Sequence, residues 1–77
     1  MRNHKNLLPD EKRNLDNHLV FIRDKSKYYL ALIEALKIAM KAPLRDELYT
    51  EIDDVMQEIV GAIKQYQTDL NRIPVRD

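Results

Sequence analysis

Two histidines, His4 and His18, are the chain's only imidazoles, and Asp10 and Asp16 lie between them. Imidazole and carboxylate both bind zinc, but a zinc site needs three or four donors at a set spacing, such as His-Glu-x-x-His on a helix. The spacing here does not supply that set, and both histidines read as exposed. Cysteine is absent, which excludes disulfides and thiolate metal sites. The acidic run Glu47, Glu51, Asp53, Asp54 and Glu58 offers oxygen ligands for a cation. It lacks an Asp-x-Asp-x-Asp-Gly loop and falls in a helical stretch, so a solvated helix face opposite lysines is the expected role. There is no Gly-rich phosphate loop, no serine nucleophile signature and no dinucleotide fingerprint. The expectation is no enzyme, no cofactor and no metal.

Two further sets of residues point to RNA. Lys12, Arg23, Lys27 and Lys37 could track a phosphate backbone, with Phe21 or Tyr28 as a stacking surface. Thirteen bases balance thirteen acids, however, so the total charge does not indicate a nucleic-acid binder. The hexapeptide Arg13-Asn14-Leu15-Asp16-Asn17-His18 resembles the Arg-Asn-x-x-x-His motif of the HEPN ribonuclease superfamily. That resemblance implies a helical bundle whose arginines and histidines, paired by dimerisation, cleave RNA. It covers six residues, and Arg13 and His18 would be the catalytic pair.

The elements that must position these residues are legible from apolar spacing. Leu15, Leu19, Ile22, Ser26, Tyr29, Ile33, Leu36 and Met40 follow steps of four and three. After Pro43 the pattern resumes as Leu48, Ile52, Val55, Ile59, Ala62 and Tyr66. Such steps keep side chains on one helix face, which predicts two amphipathic helices packed along a seam. Residues 1–9 are expected as a flexible lead, with Pro9 suited to a first turn and Asp10 and Glu11 to the helix dipole. The reading is helix 10–41, turn 42–43, helix 44–71 and a C-terminal tail 72–77, the turn being set by Pro43.

Charge selects a hairpin over a kinked rod. Residues 10–42 hold seven bases and five acids, and residues 43–71 hold two bases and seven acids. Folding back so that paired positions sum to about 84 brings the acidic run beside Lys25, Lys27, Lys37 and Lys41. The predicted fold class is therefore all-α, an antiparallel two-helix hairpin.

Eleven of the thirteen residues from Tyr28 to Met40 are apolar or aromatic, more than one seam needs. Leu30, Leu32 and Ile38 on helix 1, and Met56, Val60 and Ile63 on helix 2, widen the apolar face. A chain this short seldom buries enough surface alone. A homodimer forming a four-helix bundle through those six residues is expected. The leading functional reading is a small non-enzymatic protein–protein interaction module, a regulator, adaptor or inhibitor acting through a helix face. The alternative rests on topology: a dimerising helical hairpin with a basic face resembles the Rop family of plasmid RNA-binding proteins, which implies RNA contacts from Lys12, Arg23, Lys27 and Lys37. The HEPN-like ribonuclease reading stands behind both. No apolar run approaches the ~20 residues of a membrane span, and the first residues lack a signal-peptide core. No membrane partner and a cytoplasmic location are the corresponding expectations.

Overall fold

Helix formation begins where proline and an acidic residue cooperate. Leu8 is extended (φ −70°, ψ 151°) and donates its N–H to the Glu11 carboxylate at 2.9 Å. Pro9 follows at the first helical position, where its missing N–H leaves no bond unmade. In the computed structural model, which describes residues 7–74, α1 then spans Pro9–Ile38 and α2 spans Ala42–Arg72. No strand occurs among the described residues. The helices pack against each other as an antiparallel hairpin 58 Å long and 20 by 15 Å across. No helix is long and apolar enough to cross a membrane.

The connection lies at 39–41, three residues before the expected turn at 42–43, and α1 ends at Ile38 rather than near 41. The proline explains the offset. In a continuous helix Pro43 would meet the carbonyl of residue i−4, which is Ala39, and could not donate to it. The helix must therefore break at that carbonyl and not at the residue beside the ring. Ala39 (φ −76°, ψ 120°) and Lys41 (φ −87°, ψ 133°) are extended. Ala42 and Pro43 then open α2, whose first amides have no helical partner in any case.

Two carbonyls at the end of α1 are held by Arg45. Its Nη1 donates to the carbonyls of Leu36 at 3.1 Å and Ala39 at 2.9 Å, and its Nη2 donates to the Tyr49 hydroxyl at 3.2 Å. The guanidinium also lies 5.8 Å from the Tyr49 ring centroid. A cation at a helix C-terminus is favourable, and the planar fork lets one side chain hold both carbonyls. Arg45→Ala should lower stability by about 1–2 kcal/mol in urea denaturation. Lysine at the same position should recover only part of that, because it lacks the fork. An unchanged midpoint in the alanine variant would remove Arg45 from this role.

The expected seam of α2 is the one observed. Leu48, Ile52, Val55, Ile59, Ala62 and Tyr66 are buried or half-buried, and the same 3-4 spacing extends back to Arg45 and on to Asp69 and Ile73. On α1 two positions of the expected stripe, Leu19 and Met40, are displaced. Leu15, Ile22, Tyr29 and Leu36 face inward as expected. His18, Lys25, Leu32 and Ala39 are buried or half-buried as well, alongside Ser26 and Ile33, which are half-buried as expected. Leu19 is 45% exposed and Met40 94%, whereas Leu32 and Ala39 are buried. The inward stripe is thus widened and turned towards His18, Lys25, Leu32 and Ala39.

Candidate functional site

The rotation of α1 places two polar side chains, His18 and Lys25, on the seam, and each meets an acid of α2. Lys25 Nζ lies 2.6 Å from Glu58 Oε2 and 5.6 Å from the centroid of the Phe21 ring. The hydrogen bond to Glu58 raises the Lys25 pKa, opposed by desolvation and helped by the charges of Glu58 and Glu51. The stabilisation from this pair is present below the ordinary lysine range and is lost as pH rises through the raised folded-state value.

At the open end of the hairpin, one carboxylate gathers three donors. Asp69 Oδ2 accepts from Asn14 Nδ2 at 2.9 Å and from His18 Nε2 at 2.7 Å, while Oδ1 accepts from Gln65 Nε2 at 2.9 Å. An ionised carboxylate only accepts, so His18 carries a proton on Nε2. The hydrogen bonds from Asn14 and then His18 lower the Asp69 pKa, against a smaller desolvation effect. Both side chains are largely covered, with His18 23% and Asp69 17% exposed.

This cluster contains two members of the Arg13–His18 hexapeptide, Asn14 and His18, but not Arg13. Arg13 is 74% exposed with Asp10 at 3.9 Å. A five-residue separation turns its side chain roughly 140° away from His18 on the helix. A histidine–carboxylate pair activates a nucleophile where one adjoins it. Here the chain's one serine, Ser26, lies about 12 Å further along α1. His4 lies outside the described residues, as do residues 1–6 of the expected lead and 75–77 of the expected tail. Among the described residues no three His, Cys, Asp or Glu side chains are grouped to hold a metal ion.

Of the bases expected to meet phosphate, Lys12 is paired with Asp16 at 2.7 Å, Arg23 with Asp24 at 3.2 Å and Lys37 with Glu34 at 3.1 Å, all within α1. Lys27 is exposed. Only Lys25 of the four lysines expected opposite the acidic run forms a cross-helix pair in the structure's ion pairs among the described residues. Its pairing with Glu58, and that of Asn14 with Asp69, sum to 83, close to the expected register.

The six residues expected to form an apolar interface divide. Leu32 does not belong to it: the rotated seam buries it inside the hairpin at 8% exposure. Ile38 is 80% exposed at the last position of α1, but lies roughly 80° around the helix from Leu30, towards the back of the hairpin. Leu30 (60% exposed), Met56, Val60 and Ile63 share one side. Leu19, displaced from the seam, joins them. A groove of about 240 Å³ runs between the helices on this side, lined by Ser26, Tyr29, Met56, Ile59 and Val60. The other side of the seam carries the Lys25–Glu58 pair and is polar. The signal for Leu19 was its place at the edge of a stripe that is apolar on both flanks.

No family model, curated protein or solved structure matches this chain.

Proposed function

We propose that this protein is a small non-enzymatic interaction module that acts through one side of its hairpin. The observation that carries this reading is the strip formed by Leu19, Leu30, Met56, Val60 and Ile63, each at least 39% exposed and all on the same side of the two helices. Singly exposed apolar residues are ordinary, whereas a contiguous strip marks a surface that binds another protein. The polar residues support the same reading, since those drawn together bridge the two helices, and the cavity of about 220 Å³ beside Asn14 and Asp69 is lined by no serine, threonine or cysteine. His18, Asn14 and Asp69 act as a tie, and three of the bases that might grip RNA are paired with acids of their own helix.

The test is capture at near-native expression by the wild-type chain and by the Met56→Glu variant, compared at matched helicity. The wild type should retain a protein in stoichiometric amount, and the variant should lose it. Retention of the same proteins by both chains would overturn the proposal.

A further inference from the structure

We infer that Pro43 is the device that keeps this fold within one chain, and that without its ring the sequence runs as one straight helix and exchanges halves with a second copy. The connection holds nothing else that stops a helix. Helices commonly end on a glycine in the left-handed region. Here the chain's one glycine is Gly61, and no described residue has a positive φ. Ala39, Met40, Lys41 and Ala42 are all among the better helix formers. Ala39 and Lys41 nevertheless stand extended, because the ring of Pro43 displaces the Ala39 carbonyl and offers it no amide. Arg45 holds that carbonyl instead, a bond that a continuous helix does not need.

The hairpin's register lets the exchange keep the seam contacts. Lys25 lies opposite Glu58 and Asn14 opposite Asp69, so that paired positions sum to 83. The same rule holds when the two members of a pair are interchanged. Two straight helices laid antiparallel therefore obey it about a two-fold axis beside residues 41 and 42, at the connection itself. Lys25 then meets Glu58 of the second copy, and Asn14 and His18 meet its Asp69, as they do within one hairpin. Leu15, Leu32 and Val55 stay buried in the same seam.

What separates the two forms is the connection. The hairpin brings its halves together within one chain, whereas the exchanged pair must find a second copy. In return the exchanged pair carries the helix through residues 39–41 in both copies. Proline in a helix interior is disfavoured by more than about a hundredfold relative to alanine, and the pair contains two of them. Pro43→Ala should therefore favour exchange by roughly ten-thousandfold.

A dye pair on Asn17→Cys and Gln67→Cys reads the exchange in the full chain, which has no cysteine of its own. Both positions are exposed, one on each helix. In the hairpin the dyes sit on packed neighbours and lie within about 25 Å of each other. In a straight helix the interval from 17 to 67 spans about 75 Å. Labelled chains refolded from urea with an excess of unlabelled chains report distances within one chain, whether or not hairpins also associate by the apolar strip. The chain with Pro43 should give high energy transfer and Pro43→Ala low transfer, with light scattering placing that variant at twice the mass of one chain or more. Adding Met40→Gly to Pro43→Ala puts a helix breaker back in the connection and should recover part of the transfer. High transfer in a fully helical Pro43→Ala chain would overturn the inference. So would loss of its helical circular-dichroism signal, since the seam contacts would not have survived the exchange. Low transfer in the chain that keeps Pro43 would overturn it too, and no recovery in the glycine variant would show that helix propagation through the connection does not drive the exchange.

Discussion

Val55→Asp is expected to abolish the fold. Val55 is the most deeply buried side chain of the hairpin at 1% exposure and sits midway along the α2 seam. The bases on the seam, Lys25 and Arg45, are already held by Glu58 and by the carbonyls of Leu36 and Ala39, and burying a carboxylate unpaired costs more than about 4 kcal/mol. A domain of this size has about 4–11 kcal/mol of total stability, so the loss is comparable to the whole. Far-UV circular dichroism should show the helical signal collapse. Val55→Ala should keep the helices and lose about 2 kcal/mol in urea denaturation. A cooperative, fully helical aspartate variant would mean that the seam is not where the hairpin holds its stability.

The second large effect is expected at Asp69. Its pKa is lowered in the folded state by the hydrogen bonds from Asn14 and His18, so it binds protons more readily when unfolded. The stabilisation is therefore fully present above the unfolded carboxylate range, near 4, and is lost as pH falls through the depressed folded value. Urea midpoints measured downward from pH 6 should fall on this acid limb. Asp69→Asn removes the carboxylate and should flatten the limb, while lowering the midpoint at neutral pH because Asn14 and His18 lose a charged acceptor. Asp16→Asn, at an exposed pair within α1, should leave the limb largely intact. Equal acid limbs in the wild type and the Asp69 variant would show that the tie contributes nothing.

The α2 seam was readable from spacing alone because Glu51, Asp54 and Glu58 close one flank of its apolar stripe, although Met56, Val60 and Ile63 widen it on the other. Helix α1 offered two stripes that share Leu15, Ile22, Tyr29 and Leu36. Apolar content favours Leu19 and Met40 beside them, yet the helix leaves those two exposed and turns His18 and Lys25 inward. The choice depends on Asp69 and Glu58, which are 51 and 33 residues away and meet these side chains only once the hairpin has closed. No local pattern encodes that. The site suffered from the same ambiguity: Leu32 and Leu19 exchanged roles, while Leu30, Met56, Val60 and Ile63 stayed outside the seam as expected. The connection was misplaced for another local reason, since proline was read at its own position and its clash falls four residues earlier, at Ala39.

The two ends of the hairpin are joined over very different lengths of chain, and this sets the order of folding. Arg45 reaches back six and nine residues to close the turn, whereas Asp69 reaches 55 residues to Asn14 and 51 to His18. Closure entropy grows with loop length, so contacts near the turn form first and each makes the next one shorter to close. The helices zip from Arg45 outward, and the carboxylate at the far end fastens last. Opening runs in reverse: the first turns of α1 and the last of α2 separate most often, and amide protection should rise from that end into the middle of both helices.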